Sequence, residues 1–294
     1  MKKDIILIIG SGGLSGVFSA GVLKALEHTK IYERIDSVYA VSVGACMGAR
    51  FLVGESELAG RTFYTRFNTN SFIRGHFVKY FFQVLSKKYI SKNKVDNVID
   101  FDYFNHVVLN SEDKIDIAGV LSSKIPFYVK VFNQTKGLHQ YIKAEEPYGY
   151  EKIISSASMT PLIYDPIKVN DEILFDGDTI ASRLEEDVIK NNPDKICIKI
   201  SNIKFSGKYW LQQIPTLCYV YILLNSMYGW KTGYLYAKNF FKKPYWEYQI
   251  DKYDNLIHIE NNINIGTFCT DTQILQASYK QGLNKGKQLL KKIT

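Results

Sequence analysis

Cysteine and histidine are scarce in this chain of 294 residues, and neither is arranged in a ligand pattern. No C-x-x-C pair and no paired histidines occur, which argues against a zinc site, and we expect neither a metal nor a cofactor. Sparse, unpatterned cysteine is typical of a reducing cytoplasm. Cys46 and Cys197 lie in apolar runs and are predicted to be buried thiols; the other two cysteines are Cys218 and Cys269.

Long hydrophobic runs are also missing. The longest candidate, Leu217 to Leu224, is far shorter than the roughly 20 apolar residues needed to span a bilayer. The apolar run that follows Met1-Lys2-Lys3-Asp4 is short and leads directly into a glycine turn. We interpret it as a first strand rather than a signal peptide, and we expect a cytoplasmic protein.

Acidic residues do not balance the basic ones, and the formal net charge is +8. The charge is dispersed, 29 acidic residues accompany it, and no recognition motif appears, so nucleic acid is not the expected partner. Thirteen aromatic residues lie between Tyr209 and Tyr248, including all three tryptophans. Four lysines lie among them, namely Lys231, Lys238, Lys242 and Lys243.

Two interpretations of this aromatic and basic segment remain open. Rings and lysines together suit the headgroup region of an anionic membrane, which would make the segment a lid or a peripheral docking surface. Alternatively, the segment is a packed helical subdomain whose aromatics form a core and whose lysines face solvent. One face could also be packed while another docks.

A serine stands at the junction of a predicted strand and a predicted helix. Ser37–Val41 is β-branched and aromatic without a breaker, and Val43–Val53 is apolar and rich in small residues. Ser42 lies between them, flanked two positions away by Ala40 and Gly44. Small residues at those positions permit the close backbone approach of a nucleophile elbow. The alternative is an ordinary serine N-cap.

A glycine-rich turn, Gly10–Gly16, stands between another predicted strand and helix, Asp4–Ile9 and Val17–Leu26. Glycines there let backbone amides face an anion. Ser15 occupies the position where a dinucleotide fingerprint starting at Gly10 requires glycine, and no Lys-Ser or Lys-Thr pair follows, which excludes a phosphate P-loop. The pattern therefore favours an anion hole for an acyl intermediate.

The predicted base is Asp176, which follows the short predicted strand Glu172–Phe175 and precedes a glycine. An Asp-Gly pair is also a common turn. A serine-histidine-carboxylate triad would need a histidine, and only His258 follows Asp176. His258 lies within the predicted strand Leu256–Glu260, so we interpret it as a strand residue and keep the triad as an alternative.

At these residues the chain resembles the patatin-like phospholipases, acyl hydrolases that use a serine-aspartate dyad without histidine. The family's G-G-G-x-[RK]-G turn corresponds to Ser11–Gly16, its G-x-S-x-G elbow to Ala40–Gly44, and its D-G-[GA] motif to Asp176–Asp178. The Ser156–Leu162 stretch is similar to the A-S-x-x-x-P stretch of the family. Order and spacing agree along nearly the whole chain, particularly with the compact bacterial branch.

The resemblance implies a phospholipase A or lysophospholipase type of esterase that acts on phospholipid or other lipid esters. Ser42 would be the nucleophile and Asp176 the general base. The amides of Gly12, Gly13 and Leu14 would hold the oxyanion, with Ala40 and Gly44 supporting the elbow. No metal takes part in this mechanism.

Several positions depart from the family pattern: Ser11, Ser15, Asp178, Ser182 and Glu185. Asp178 places a second carboxylate near the dyad, which would raise the pKa of Asp176 if the two approach. None of the departures removes the nucleophile or the base. The alternative function is a catalytically weak or inactive patatin-like protein that binds lipid.

The predicted architecture is α/β: a patatin-like three-layer α/β/α fold with a mainly parallel central sheet. We expect one domain over residues 1–294, with a core at about 4–202, an aromatic-rich helical elaboration at about 205–253 and a C-terminal strand and helix at about 254–294. Further predicted strands cover Asp116–Leu121, Pro126–Phe132 and Lys195–Ser201. The hairpin partner Leu138–Ile142 and the helices Tyr150–Ser156, Leu184–Lys190 and Thr272–Lys292 complete the prediction.

Overall fold

A computed structural model describes residues 2–87, 95–203, 214–240, 242 and 252–293. Its eight strands form one sheet. In chain order they are β1 (Ile5–Ile9), β2 (Ile35–Val41), β3 (Phe127–Asn133), β4 (Leu138–Lys143), β5 (Ile167–Val169), β6 (Glu172–Asp176), β7 (Ile196–Ser201) and β8 (Leu256–Glu260).

Twelve α-helices lie in the same described ranges, together with a 3₁₀ turn at Gly13–Gly16 and a π-helical turn at Phe63–Phe67. The helices are α1 (Val17–Leu26), α2 (Lys30–Arg34), α3 (Val43–Leu52), α4 (Ser56–Thr62), α5 (Phe77–Lys87), α6 (Phe101–Asn110), α7 (Ile117–Leu121), α8 (Gly149–Ala157), α9 (Leu184–Lys190), α10 (Ile214–Tyr228), α11 (Trp230–Phe240) and α12 (Thr272–Ile293).

The sheet is mostly parallel, with strand order β5-β6-β3-β2-β1-β7-β8 and β4 paired to β3. Strands β3, β2, β1, β7 and β8 run parallel, whereas β4, β5 and β6 add antiparallel pairs. All five residues of β1 are buried, as its unbroken apolar run predicts for a central parallel strand covered on both faces. The architecture is α/β with a mainly parallel central sheet, as predicted from the sequence.

Alternate residues of β1 enter two different apolar cores. Ile5, Leu7 and Ile9 join the large core shared with α1 and α3. Ile6 and Ile8 join a smaller core on the opposite face, which they share with Val188 and Ile189 of α9. Helices therefore cover both faces of the sheet, which gives the three layers.

The C-terminal helix α12 lies against α1 at very close range because both helices carry glycine at the crossing. A Cβ built on Gly282 would clash with the carbonyl oxygen of Phe18, and one built on Gly21 would clash with the carbonyl oxygen of Tyr279. Since backbone meets backbone there, larger residues would separate the two helices. The predicted helix over Thr272–Lys292 is confirmed.

One predicted strand is wrong. Asp116–Leu121 was expected to be extended, but Ile117–Leu121 is helix α7. The carboxylate of Asp116 caps this helix by accepting a hydrogen bond from the Gly119 amide at 2.9 Å. In this short apolar segment, the cap at Asp116 outweighs the strand preference of the β-branched residues.

The aromatic-rich elaboration is described only in part. Helices α10 and α11 cover much of it, and Tyr236 packs into a third core with Phe132 of β3 and Phe175 of β6. Trp210, Trp246 and Lys243 lie outside the described residues.

Candidate active site

Ser42 occupies a strained turn between β2 and α3. Its backbone has φ 57° and ψ −130°, a left-handed conformation that non-glycine residues rarely adopt. Gly44 lies against the end of β1: a Cβ on it would be 2.5 Å from the carbonyl oxygen of Ile9. Ala40 is buried in β2. The strand-turn-helix geometry predicted for an elbow is therefore present.

Strand β3 brings Ser42 and Asp176 together. Lys130 pairs with Val41, the last residue of β2, and the next residue, Val131, pairs with Asp176, the last residue of β6. The last residues of β2 and β6 therefore pair with two consecutive residues of β3. Ser42 and Asp176 line the same cavity, and the Ser42 side chain lies close enough to the Asp176 carboxylate to lower its pKa.

Backbone and side-chain contacts hold this pair in place. The Ser42 amide donates to Ser156 Oγ at 3.0 Å, and Ser156 Oγ donates to the carbonyl oxygen of Lys130 at 2.7 Å. The Asp178 amide donates to Asp176 Oδ1 at 2.8 Å. Gly177 is required between the two aspartates, because a Cβ there would be 2.5 Å from the carbonyl oxygen of Lys130.

The Asp176 carboxyl group is buried, and its burial raises the pKa to about 6. The Ser42 side chain and the hydrogen bond from the Asp178 amide favour the ionised form and oppose this shift, while the charge of Asp178 adds to it. Such a carboxylate accepts a proton more readily than an exposed aspartate does, which suits a general base.

The glycine turn lines the same cavity as Ser42. Gly12 and Gly13 have φ values of 149° and 56°, which glycine adopts without strain. Within the described part of the chain, neither of their amides donates to a protein acceptor. The Leu14 amide differs: it donates to the carbonyl oxygen of Thr267 at 2.9 Å, so in this arrangement a protein acceptor already occupies it.

Thr267 was not anticipated from the sequence. Its loop closes over the glycine turn so tightly that a Cβ on Gly13 would be 2.5 Å from the Thr267 carbonyl oxygen. A threonine between Gly266 and Phe268 carries no local signal, because the contact joins segments far apart in the chain. Ser156, by contrast, lies in the stretch that the family resemblance had singled out.

Two spaces open beside Ser42. The larger, of about 900 Å³, contains Asp176, Gly12 and Gly13 on its wall, together with apolar side chains such as Leu162 and Val220. The smaller, of about 50 Å³, is walled by aromatic and aliphatic side chains, including Phe63 and Phe104. An ester carbonyl at Ser42 therefore has room for substituents on both sides.

The hydrogen bond between His258 and Ser201 involves neither Ser42 nor Asp176. His258 lies on β8, at the end of the strand order, and its Nε2 is 2.8 Å from the Oγ of Ser201 on β7.

Among the described residues, no group of three or more histidine, cysteine or acidic side chains has a metal-binding arrangement. Cys46 and Cys197 are buried thiols, as predicted.

The sequence of residues 7–182 matches the family model of the patatin-like phospholipases. The chain belongs to this family. The patatin-like fold is also similar to the crystal structure of VipD from Legionella pneumophila, with 14% identity and a TM-score of 0.48 over 99% of this chain and 67% of that chain. No curated protein sequence matches the chain. In the described residues of this patatin-like protein, no helix has the length and apolarity to cross a membrane.

Proposed function

We propose that this patatin-like protein is a lipid acyl hydrolase in which Ser42 is the nucleophile and Asp176 the general base. The observation that carries the proposal is that these two side chains lie side by side on the wall of one cavity, which is large enough for a lipid ester. Family membership supports a lipid ester as substrate.

In the proposed reaction, Asp176 takes the hydroxyl proton as Ser42 Oγ forms a bond to the ester carbonyl carbon. The amides of Gly12 and Gly13 donate to the oxyanion. Asp176 then gives the proton to the leaving alcohol as its C–O bond breaks, and water attacks the acyl-enzyme by the same route. The strained backbone of Ser42 holds Oγ towards the cavity, as in other nucleophile elbows.

The test is hydrolysis of a short-chain ester and of a phospholipid by the wild type and three variants. Ser42→Ala and Asp176→Asn should each lose activity by at least about 1,000-fold, since each removes one half of the proton-transfer pair. His258→Ala should retain activity within a few-fold. A fluorophosphonate probe should label Ser42, with the site identified by mass spectrometry.

Different results separate the alternatives. Wild-type activity in Ser42→Ala rejects the nucleophile assignment. Loss of activity in His258→Ala equal to that in Asp176→Asn favours the triad. Lipid binding without hydrolysis or probe labelling, in folded wild-type protein, favours the non-catalytic lipid-binding alternative.

A further inference from the structure

Two of the residues that depart from the family pattern contact each other. Ser11 Oγ, in the glycine turn, donates to Asp178 Oδ2, in the aspartate loop, at 2.6 Å. The family motifs quoted above have glycine or alanine at both positions, so neither partner of this hydrogen bond would exist in a chain that kept the pattern. The two changes form one contact.

The charge of Asp178 is balanced by a buried network. Lys130 Nζ lies 3.3 Å from Asp178 Oδ1 and 3.4 Å from Glu185 Oε1, and Lys199 Nζ lies 3.4 Å from Glu185 Oε2. Lys130 and Lys199 are only 1% and 3% exposed. Two lysines and two carboxylates alternate, so the opposite charges of these four described side chains offset each other, as buried charges require.

Asp178 therefore touches both halves of the proposed site. Its backbone amide donates to the carboxylate of Asp176, and its side chain accepts from Ser11, the residue before Gly12. A hydrogen bond to an ionised acceptor is stronger than one between neutral groups, so the link resists relative movement of the two loops. Displacing a catalytic group by about 1 Å can cost about 100-fold in rate.

We propose that Asp178 is a positioning residue that locks the oxyanion turn to the loop of the general base through Ser11, with Lys130 as its counter-charge. The proposal rests on the function proposed above. It extends that function by assigning a shared role to residues that lie outside the dyad and the oxyanion donors.

The first test is a double-mutant cycle on ester hydrolysis. Ser11→Ala and Asp178→Ala should each lower kcat by about 10-fold with little change in KM, and the double variant should lose about the same 10-fold rather than 100-fold. Ser122→Ala and Asp187→Ala remove the same groups at exposed positions outside the site and should retain wild-type kcat.

The second test is the pH profile of kcat/KM. In Asp178→Asn the like charge beside Asp176 disappears and the positive charge of Lys130 is less balanced, so the acid limb should move to lower pH. Ser11→Ala changes no charge, so the acid limb of its kcat/KM profile should lie at the same pH as in the wild type. A general loss of structure would not shift the acid limb in Asp178→Asn while leaving it unchanged in Ser11→Ala.

Other titratable groups are positioned to affect this profile. The Cys46 thiol of α3 faces Asp176, and burial raises its pKa to about 12, so it stays neutral across the profile. Six further titratable residues line the cavity, namely Glu185, Lys199, Tyr236, His258, Glu260 and Cys269. Asp178→Asn and Ser11→Ala both retain all of these residues, so a difference between their two profiles arises from the charge of Asp178.

Several outcomes would overturn the inference. Wild-type kcat in Ser11→Ala, a multiplicative loss in the double variant, or an unmoved acid limb in folded Asp178→Asn each contradict it. If Asp178→Ala does not fold, Ser11→Ala and Asp178→Asn still decide. Wild-type activity in Ser42→Ala would instead reject the underlying function, so the two failures are distinguishable.

Discussion

The pKa of a single buried carboxyl group sets the expected pH dependence of hydrolysis. Burial raises the pKa of Asp176 to about 6, and the proposed base must be ionised to accept the Ser42 proton. We therefore expect kcat/KM to rise with pH through about 6 and to reach a plateau above pH 7. A profile measured with an uncharged ester checks this, and an acid limb near pH 4 would contradict it.

The same residue should oppose folding at neutral pH. Because the pKa of Asp176 is higher in the folded protein than in the unfolded chain, the folded state is favoured below about pH 4 and loses that advantage as pH rises through about 6. Asp176→Asn should thus raise the free energy of unfolding at pH 7.5 by about 3 kcal/mol while abolishing hydrolysis.

Urea unfolding at pH 7.5 and pH 4 checks the stability prediction. The gain in Asp176→Asn over wild type should shrink at pH 4, where the carboxyl group of the folded wild type is protonated. Asp187→Asn, at an exposed position, serves as the control and should show neither effect. An equal gain at both pH values would show that ionisation is not its cause.

At the scale of elements, we expect a glycine-to-alanine change where α1 and α12 cross to destabilise the protein, which is the opposite of its usual effect in a helix. Alanine in place of glycine within an exposed helix stabilises it by about 1 kcal/mol. In Gly282→Ala the added Cβ would meet the Phe18 carbonyl oxygen, and backbone cannot move aside without separating the helices. We expect a loss of about 1–3 kcal/mol in unfolding free energy.

The matched control for this crossing lies on the same helix. Gln288 is exposed on α12, so Gln288→Ala should leave the free energy of unfolding within about 0.5 kcal/mol of wild type. Thermal or urea unfolding measures both variants. Stabilisation by Gly282→Ala would mean that the two helices are not in contact at this point.

The sequence predicted those elements whose causes are local. The run of β1 and the small residues around Ser42 specify a strand and an elbow within a few positions. The error at Asp116–Leu121 came from giving strand propensity more weight than the Asp116 cap. The use of the Leu14 amide by Thr267 and the bond between Ser11 and Asp178 could not be predicted, because each joins segments far apart in the chain.

At the scale of the whole molecule, the described part of the aromatic segment has two faces. Tyr236 of α11 is buried against the sheet, whereas Trp230 and Tyr234 of the same helix are 66% and 53% exposed. Lys238 lies over the ring of Tyr234, 5.8 Å from its centre. One face is therefore packed, and the other presents rings and a cation together, the composition of a membrane headgroup contact.

This exposed face and the net charge of +8 lead us to expect binding to anionic vesicles. Each lysine near an anionic surface contributes about 1 kcal/mol, so changing both Lys242 and Lys243 to glutamine should weaken vesicle binding by about 30-fold at low salt. Lys287→Gln with Lys291→Gln removes the same charge from exposed positions of α12 and separates a local surface from a general charge effect. Vesicle sedimentation at several ionic strengths measures both pairs. Equal weakening by the two pairs, or unchanged binding in the first, contradicts docking through this segment, because attraction to net charge alone does not depend on which lysines are lost.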